Sequence, residues 1–417
     1  MKSTVSKDKS DLSISFCGLE LSNPFILASG PPTRNDEMIL RGFEEGWAGA
    51  VTKTISFSPT QSPHPRLSII DKTKSLVNIE LISSDTVQQW VKWISTIKKT
   101  APHKIIIASI MASAKTNDWQ KLARIMADAG ADALELNISC PHGMPERGMG
   151  SLIGQNPRLS ATITHAVKKA VSIPVIVKLT PNVTDIKLIA KACAQSGADA
   201  LSGINTVKSL AGIDIEKLSP LPSVNEKGTF GGYAGQGIKP IALRCVAEMF
   251  QATKLPISAG GGIFNWNDAV EFLLIGARTL QLCSAVMFSG YPIIHSLKKG
   301  LQKYIQQHNF RRSDAPIRSV PYPKASGRLE QLVALSQKKL VRHSSLKSQN
   351  LTAVINQNKC PLKSTSTSHC HRCLVACRDG GLQAIAFKNH RCTISKELCD
   401  GCGLCVSVCP NQAIKLE

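Results

Sequence analysis

Gly130-Ala131-Asp132-Ala133-Leu134-Glu135-Leu136-Asn137 begins as a helix stop and ends as a short strand. The glycine stands where a helix C-terminus needs a residue tolerant of left-handed backbone. The run after it is continuous rather than alternating, as a parallel strand covered on both faces should be. The phrase returns at Gly197-Ala198-Asp199-Ala200-Leu201-Ser202-Gly203-Ile204, and again at Gly276-Ala277-Arg278-Thr279-Leu280-Gln281-Leu282. Further strands are expected at Pro24–Ala28, Ala50–Thr52, Lys104–Ile110, Pro174–Leu179 and Pro256–Ala259, which makes eight. Helical periodicity fills the gaps, as at Asp118–Ala129, Pro157–Val171, Asp185–Gln195, Pro240–Thr253 and Asn267–Ile275. This alternation predicts an α/β fold of the (β/α)₈ (TIM) barrel type. A doubly wound sheet fits less well, since no early Gly-x-Gly-x-x-Gly is present.

Polar residues stand at or just past the strand ends: Ser29, Lys53, Asn137, Lys178, Asn205 and Ser284. That is the rim where barrel enzymes keep their chemistry. After Gln307 the character changes to a basic, Ser-rich stretch with one helix expected at Leu329–Leu340. The reading is a barrel over residues 1–310, a linker over 311–360 and a small α+β domain over 361–417. The formal charge of +21 is spread along the chain without interleaved aromatics. It is read as a surface favouring anionic cofactors and acidic partner proteins, not nucleic acid. No apolar run reaches membrane-span length and no secretory signal stands at the start, so a cytoplasmic protein is expected.

Nine of the fourteen cysteines fall between Cys360 and Cys409. In a chain with no sign of export, that cluster reads as metal ligation rather than disulfides. Cys399-Asp-Gly-Cys402-Gly-Leu-Cys405-Val-Ser-Val-Cys409-Pro410 is the C-x₂-C-x₂-C-x₃-C-P run of bacterial ferredoxins, whose fourth cysteine serves the other cluster. Cys370-His-Arg-Cys373-Leu-Val-Ala-Cys377 repeats it with Thr367 where a first cysteine belongs. Crossed ligation gives Cys377, Cys399, Cys402 and Cys405 a complete [4Fe–4S] cluster and leaves Cys370, Cys373 and Cys409 for an incomplete second. That second site is a [3Fe–4S] centre, borrows Cys360 or Cys392, or is absent. Taken singly, Cys360 and Cys392 read as small hydrophobes.

Cys140 follows Asn137 at the end of a strand and precedes a segment, Met144–Gln155, holding Gly148, Gly150 and Gly154. A thiol at the mouth of a movable loop can be carried over a substrate and can donate a proton to carbon. Gly260-Gly261-Gly262 after the seventh strand and Cys283-Ser284 after the eighth supply backbone N–H groups where such barrels bind phosphate, here that of FMN.

Together these residues resemble the dihydropyrimidine dehydrogenases, in particular the FMN and iron–sulfur subunit of the NAD-dependent bacterial type, among the dihydroorotate dehydrogenase-like flavin barrels. The matching strings include Asn23-Pro-Phe-Ile-Leu-Ala-Ser29, Asn78-Ile-Glu80-Leu-Ile82, Asn137-Ile-Ser-Cys140-Pro-His142-Gly and Lys178-Leu-Thr-Pro-Asn-Val-Thr-Asp185. The resemblance implies reversible reduction of uracil or thymine at C5–C6. It implies FMN contacts at Ala28, Ser29, Lys53, Thr54, Asn137, Lys178, Gly235, Gly261, Gly262, Cys283 and Ser284. It implies a pyrimidine clamp of Asn78, Glu80, Ile82, Asn137, Asn205 and Thr206, with Cys140 as general acid. It further implies NADH electrons delivered by an FAD/NAD-binding partner subunit, in a hetero-oligomer containing a dimer of this chain.

Three rival readings are a dihydroorotate dehydrogenase, a tRNA dihydrouridine synthase-like flavoenzyme and a non-catalytic electron carrier. Glu80 speaks against the first, because its charge would repel the carboxylate of orotate. The iron–sulfur tail and the Lys178 motif speak against the second. The joint presence of clamp, acid and flavin residues speaks against the third.

Overall fold

The computed structural model describes residues 12–70, 73–308, 329–341, 345, 350–360, 370–380, 382–388 and 391–417. They divide into two units, Met1–Leu340 and Val341–Glu417. In the first, eight strands close into a parallel barrel in sequence order. They are β1 (Phe25–Leu27), β2 (Gly49–Val51), β3 (Ile105–Ile110), β4 (Ala133–Asn137), β5 (Val175–Lys178), β6 (Ala200–Gly203), β7 (Ile257–Gly260) and β8 (Ala277–Leu282).

The repeated glycine phrase does what its chemistry requires. Gly130, Gly197 and Gly276 have φ of +100°, +94° and +116°, each ending a helix in left-handed backbone. The aspartates that follow two of them tie the next layer. Asp132 accepts the Ile106 N–H at 2.7 Å and Asp199 accepts that of Val175 at 2.8 Å. Each also pairs with a lysine from a neighbouring helix, Lys98 and Lys168. In the third copy Arg278 takes the place and pairs instead with Glu330 at 2.6 Å.

That last contact bears on the segment expected to be linker. Leu329 and Leu332 are fully buried in the barrel unit's core, worth roughly 1.5–3 kcal/mol each. The helix expected at Leu329–Leu340 is instead two short 3₁₀ turns, Leu329–Leu332 and Gln337–Lys339. Docking competes with helix here: the Ala334 and Ser336 N–H groups donate to Leu273 and Leu274 carbonyls across the interface.

A four-stranded antiparallel sheet stands outside the barrel, in the order Val207–Ser209, Gly231–Gly235, Ser75–Asn78, Leu67–Ile70. No period-2 alternation announces it, and its second strand is Gly-Gly-Tyr-Ala-Gly.

In the second unit, Ala353–Ile355 pairs antiparallel with Ile414–Leu416, and Ile385–Lys388 with Arg391–Ile394. Helices Arg372–Gly380 and Leu404–Val408 carry cysteines between them. Thr367 lies outside the described residues. Among those described, no helix is long and apolar enough to cross a membrane.

Candidate active site

The C-terminal ends of the barrel strands and the outer sheet enclose a cleft of about 1150 Å³. Ser29, Lys53, Asn137, Lys178, Asn205 and Ser284 all line it. Ala28, Thr54, Asn78, Glu80, Ile82, Cys140, Thr206, Gly235, Gly261, Gly262 and Cys283 line it as well. The outer sheet explains how distant segments meet: Gly232 pairs in register with Asn78, and the Asn78 amide donates to the Gly232 carbonyl at 2.9 Å.

A chain of hydrogen bonds fixes the floor. Asn137 donates to Thr54 Oγ1 at 2.8 Å, and Thr54 meets Ser109 at 3.0 Å. The Asn137 carbonyl oxygen accepts from the Ser139 hydroxyl at 3.0 Å, and Asn205 donates to that hydroxyl at 2.9 Å. These partners orient both asparagine amides, so their remaining hydrogen-bonding capacity points in a set direction. Among the described residues, two buried atoms in the cleft have no partner, Thr206 Oγ1 and His142 Nδ1. His142 Nε2 lies 3.0 Å from the Glu80 carbonyl oxygen, so Nε2 bears the hydrogen and Nδ1 is an acceptor. Burial holds the His142 pKa below its usual range, which keeps the ring neutral. Gly232 packs so close that a Cβ there would sit 2.1 Å from Thr206 Oγ1, so only glycine fits. Unpaired buried polar atoms are costly, and these two suit a polar ring with N–H and C=O groups on its edge.

The charges are paired rather than lone. Glu80 meets Lys53 at 2.7 Å and Arg66 Nε at 3.6 Å. The sequence-level reason for excluding a carboxylate, a bare Glu80 charge, is therefore weaker than expected, because two cations offset it. Lys178 meets Glu135 at 3.2 Å. Glu135 is fully buried and also accepts from Ser202 at 2.9 Å and Gln281 at 2.8 Å. Sequence reasoning passed over Glu135 and Gln281, although a carboxylate in a run of apolar strand residues is itself a signal.

Cys140 is buried in an apolar nest of Ile82, Met111, Met144 and Met149, and its thiol donates to the His142 carbonyl at 3.5 Å. Burial pushes its pKa up to about 11, so the thiol holds its proton at neutral pH, as an acid must. Alkylation by iodoacetamide should accordingly be slow at pH 8 and rise about tenfold per pH unit toward that pKa. Mass spectrometry of labelled protein reads this, and fast modification at pH 7 would contradict it. The glycines beyond Cys140 have local reasons. A Cβ at Gly150 would lie 2.7 Å from the Cys140 carbonyl, and one at Gly154 2.1 Å from that of Ile138.

The loop after β7 fits a phosphate. Gly261 and Gly262 have φ of +126° and +84°. Their N–H groups and that of Ile263 find no backbone acceptor among the described residues. With Ser284, Lys53 and Lys178 also lining the cleft, the lining suits an anionic flavin nucleotide.

The second unit has two cavities of nearly equal size, about 360 and 350 Å³. Cys377, Cys399, Cys402 and Cys405 line the first, and Cys370, Cys373 and Cys409 the second, as crossed ligation expects. Cys360 also lines the second. Among the described residues, no group of three His, Cys, Asp or Glu is spaced for a single metal ion.

Comparison with known proteins agrees with this geometry. The dihydroorotate dehydrogenase family model matches residues 11–305, and a 4Fe-4S dicluster domain matches residues 353–416. This chain belongs to the dihydroorotate dehydrogenase family. The NAD-dependent dihydropyrimidine dehydrogenase subunit PreA of Escherichia coli K12 is 36% identical over 97% of this chain and 95% of its own length. The catalytic subunit of dihydroorotate dehydrogenase B from Thermococcus kodakarensis is 38% identical over 72% of this chain and 94% of its own. A crystal structure of the Eimeria tenella dihydroorotate dehydrogenase superposes with a TM-score of 0.62 at 20% identity, covering 74% of this chain and 88% of that one, and supports the barrel fold. Membership makes the chain an oxidoreductase with FMN in the barrel and 4Fe–4S clusters in the tail.

Proposed function

We propose that this chain is the FMN and iron–sulfur subunit of an NAD-dependent dihydropyrimidine dehydrogenase, which reduces uracil or thymine reversibly to the 5,6-dihydropyrimidine. The observation that carries the reading is similarity through the tail. The Escherichia coli subunit matches from end to end, whereas the match to the Thermococcus protein uses 94% of that chain and only 72% of this one. An FAD/NAD-binding partner then supplies electrons from NADH through the clusters, in a hetero-oligomer containing a dimer of this chain. Nine cysteines in one small tail suit the reducing cytoplasm.

When bound, FMN would supply the hydride for C6 of the pyrimidine. Ala28, Ser29, Lys53, Thr54, Asn137, Lys178 and Gly235 would hold it, with the phosphate on the amides of Gly261, Gly262, Cys283 and Ser284. Asn78, Glu80, Ile82, Asn137, Asn205 and Thr206 orient the substrate ring, and the unpaired Thr206 hydroxyl is satisfied on binding. Cys140 keeps its proton in the apolar nest and delivers it to C5. Lys178 would place positive charge beside the bound flavin and stabilise its reduced, anionic form.

The test is anaerobic co-purification with the FAD/NAD-binding partner, followed by NADH oxidation with uracil and with orotate. Uracil should be turned over faster; faster turnover of orotate would replace this reading with dihydroorotate oxidation. Lys53 and Arg66 beside Glu80 favour that second reading, since both attract a carboxylate. Glu80→Gln should therefore weaken uracil reduction about tenfold or more and raise orotate binding, because two cations lose their counter-charge. Steady-state kinetics on both substrates would show it. An unchanged uracil-to-orotate ratio would remove Glu80 from the choice.

A further inference from the structure

The tail is one unit written twice. In its first half the strand Ala353–Ile355 runs into a turn where the Cys360 N–H donates to the Asn356 carbonyl at 3.2 Å. In its second half the strand Arg391–Ile394 runs into a turn where the Cys399 N–H donates to the Ser395 carbonyl at 3.1 Å. The side chain opening each turn accepts a local N–H, at different offsets: Asn356 Oδ1 from Asn358, two residues on, at 2.9 Å, and Ser395 Oγ from Leu398, three residues on, at 3.3 Å. Each half continues into a cysteine-bearing helix and then the same three residues, Gln383-Ala384-Ile385 and Gln412-Ala413-Ile414. Both glutamines adopt left-handed backbone, at φ +55° and +48°. By this correspondence Cys360 holds in the first half the place that Cys399, first ligand of its motif, holds in the second.

We infer that Cys360 is the fourth ligand of the second cluster, so that Cys360, Cys370, Cys373 and Cys409 bind a complete [4Fe–4S] centre. Two observations carry this independently of each other. One is the turn correspondence. The other is the cavity itself, which is lined by these four cysteines and matches in size the cavity of Cys377, Cys399, Cys402 and Cys405. Thr367 is then not required as a ligand, and a hydroxyl would be a poor one for iron beside thiolates. The long Cys360–Cys370 interval costs little, because a ligand needs only its position at the cavity wall and not a fixed spacing. Cys392 is the competing candidate. It is buried on the strand Arg391–Ile394, packed in one cluster with Cys360 and Cys373, and does not line the cavity. It is placed behind two ligands as a positioning residue.

The inference rests on the iron–sulfur nature of the tail and not on the pyrimidine reading, so either can fail alone. The experiment is iron and sulfide analysis with electron paramagnetic resonance on the anaerobically prepared full chain, with FMN content as the measure of an intact barrel. Wild-type protein should hold about eight irons as two [4Fe–4S] centres. Cys360→Ala should lose one iron and show an oxidised [3Fe–4S] signal, or lose that cluster and keep about four irons. Cys392→Ala should keep about eight. A wild-type chain with a [3Fe–4S] centre or a single cluster would overturn the assignment, a result that needs no variant to fold. So would a full iron complement in Cys360→Ala, or cluster loss in Cys392→Ala alone.

Discussion

Replacing Cys140 by alanine is expected to lower uracil-dependent NADH oxidation by about 10²–10⁴-fold, the span typical of a lost proton donor, while FMN stays bound. The thiol combines a proton held at neutral pH with a place in the cleft wall. His142 is the nearest alternative, but its Nε2–H is committed to the Glu80 carbonyl and its Nδ1 carries no proton. Alanine removes the proton without enlarging the charge balance of Lys53, Glu80 and Lys178, so flavin content should not change. Cys140→Ser should recover part of the rate, since a hydroxyl can occupy the same position but gives up its proton less readily. Turnover of Cys140→Ala within a few-fold of wild type would take Cys140 out of the chemistry.

The barrel was legible because each of its parts is local. Gly130, Gly197 and Gly276 stop helices by backbone geometry alone, and the short strands behind them are buried throughout. The outer sheet was not, because its strands are three to five residues long and Gly231-Gly232 carry no side-chain pattern. Its existence depends on pairing between residues more than 150 positions apart, as Asn78 with Gly232, and no window of sequence contains both. The cleft residues were legible as a set, since strand ends and glycine loops mark them. Their electrostatics were not: that Glu80 faces Lys53 and Arg66 is a fact of three segments brought together. The same holds for Leu329–Leu340, whose helical periodicity loses to docking through Glu330 and Leu332. The repeat in the tail was hidden by the nine residues between Cys360 and Cys370, where the second half has two between Cys399 and Cys402.

Glu135→Ala should give the largest loss of stability of any single change at the site, about 3–5 kcal/mol, the usual result of stranding a buried charge. Glu135 sits inside the barrel with no exposure and receives Lys178, Ser202 and Gln281. Its removal leaves the Lys178 ammonium, itself buried, without a counter-charge and two donors without an acceptor. The pair need not add net stability over an apolar pair, because desolvation of both ions opposes their attraction. Glu135→Leu combined with Lys178→Met should therefore regain much of what Glu135→Ala loses and, on the role proposed for Lys178, still fail to reduce uracil. Thermal unfolding of the FMN-loaded chain, followed through released flavin fluorescence, compares the three proteins. A Glu135→Ala midpoint within about 1 °C of wild type, under about 1 kcal/mol for a domain of this size, would show that water or another group already neutralises Lys178. A double variant no more stable than Glu135→Ala would assign the loss to packing and not to charge.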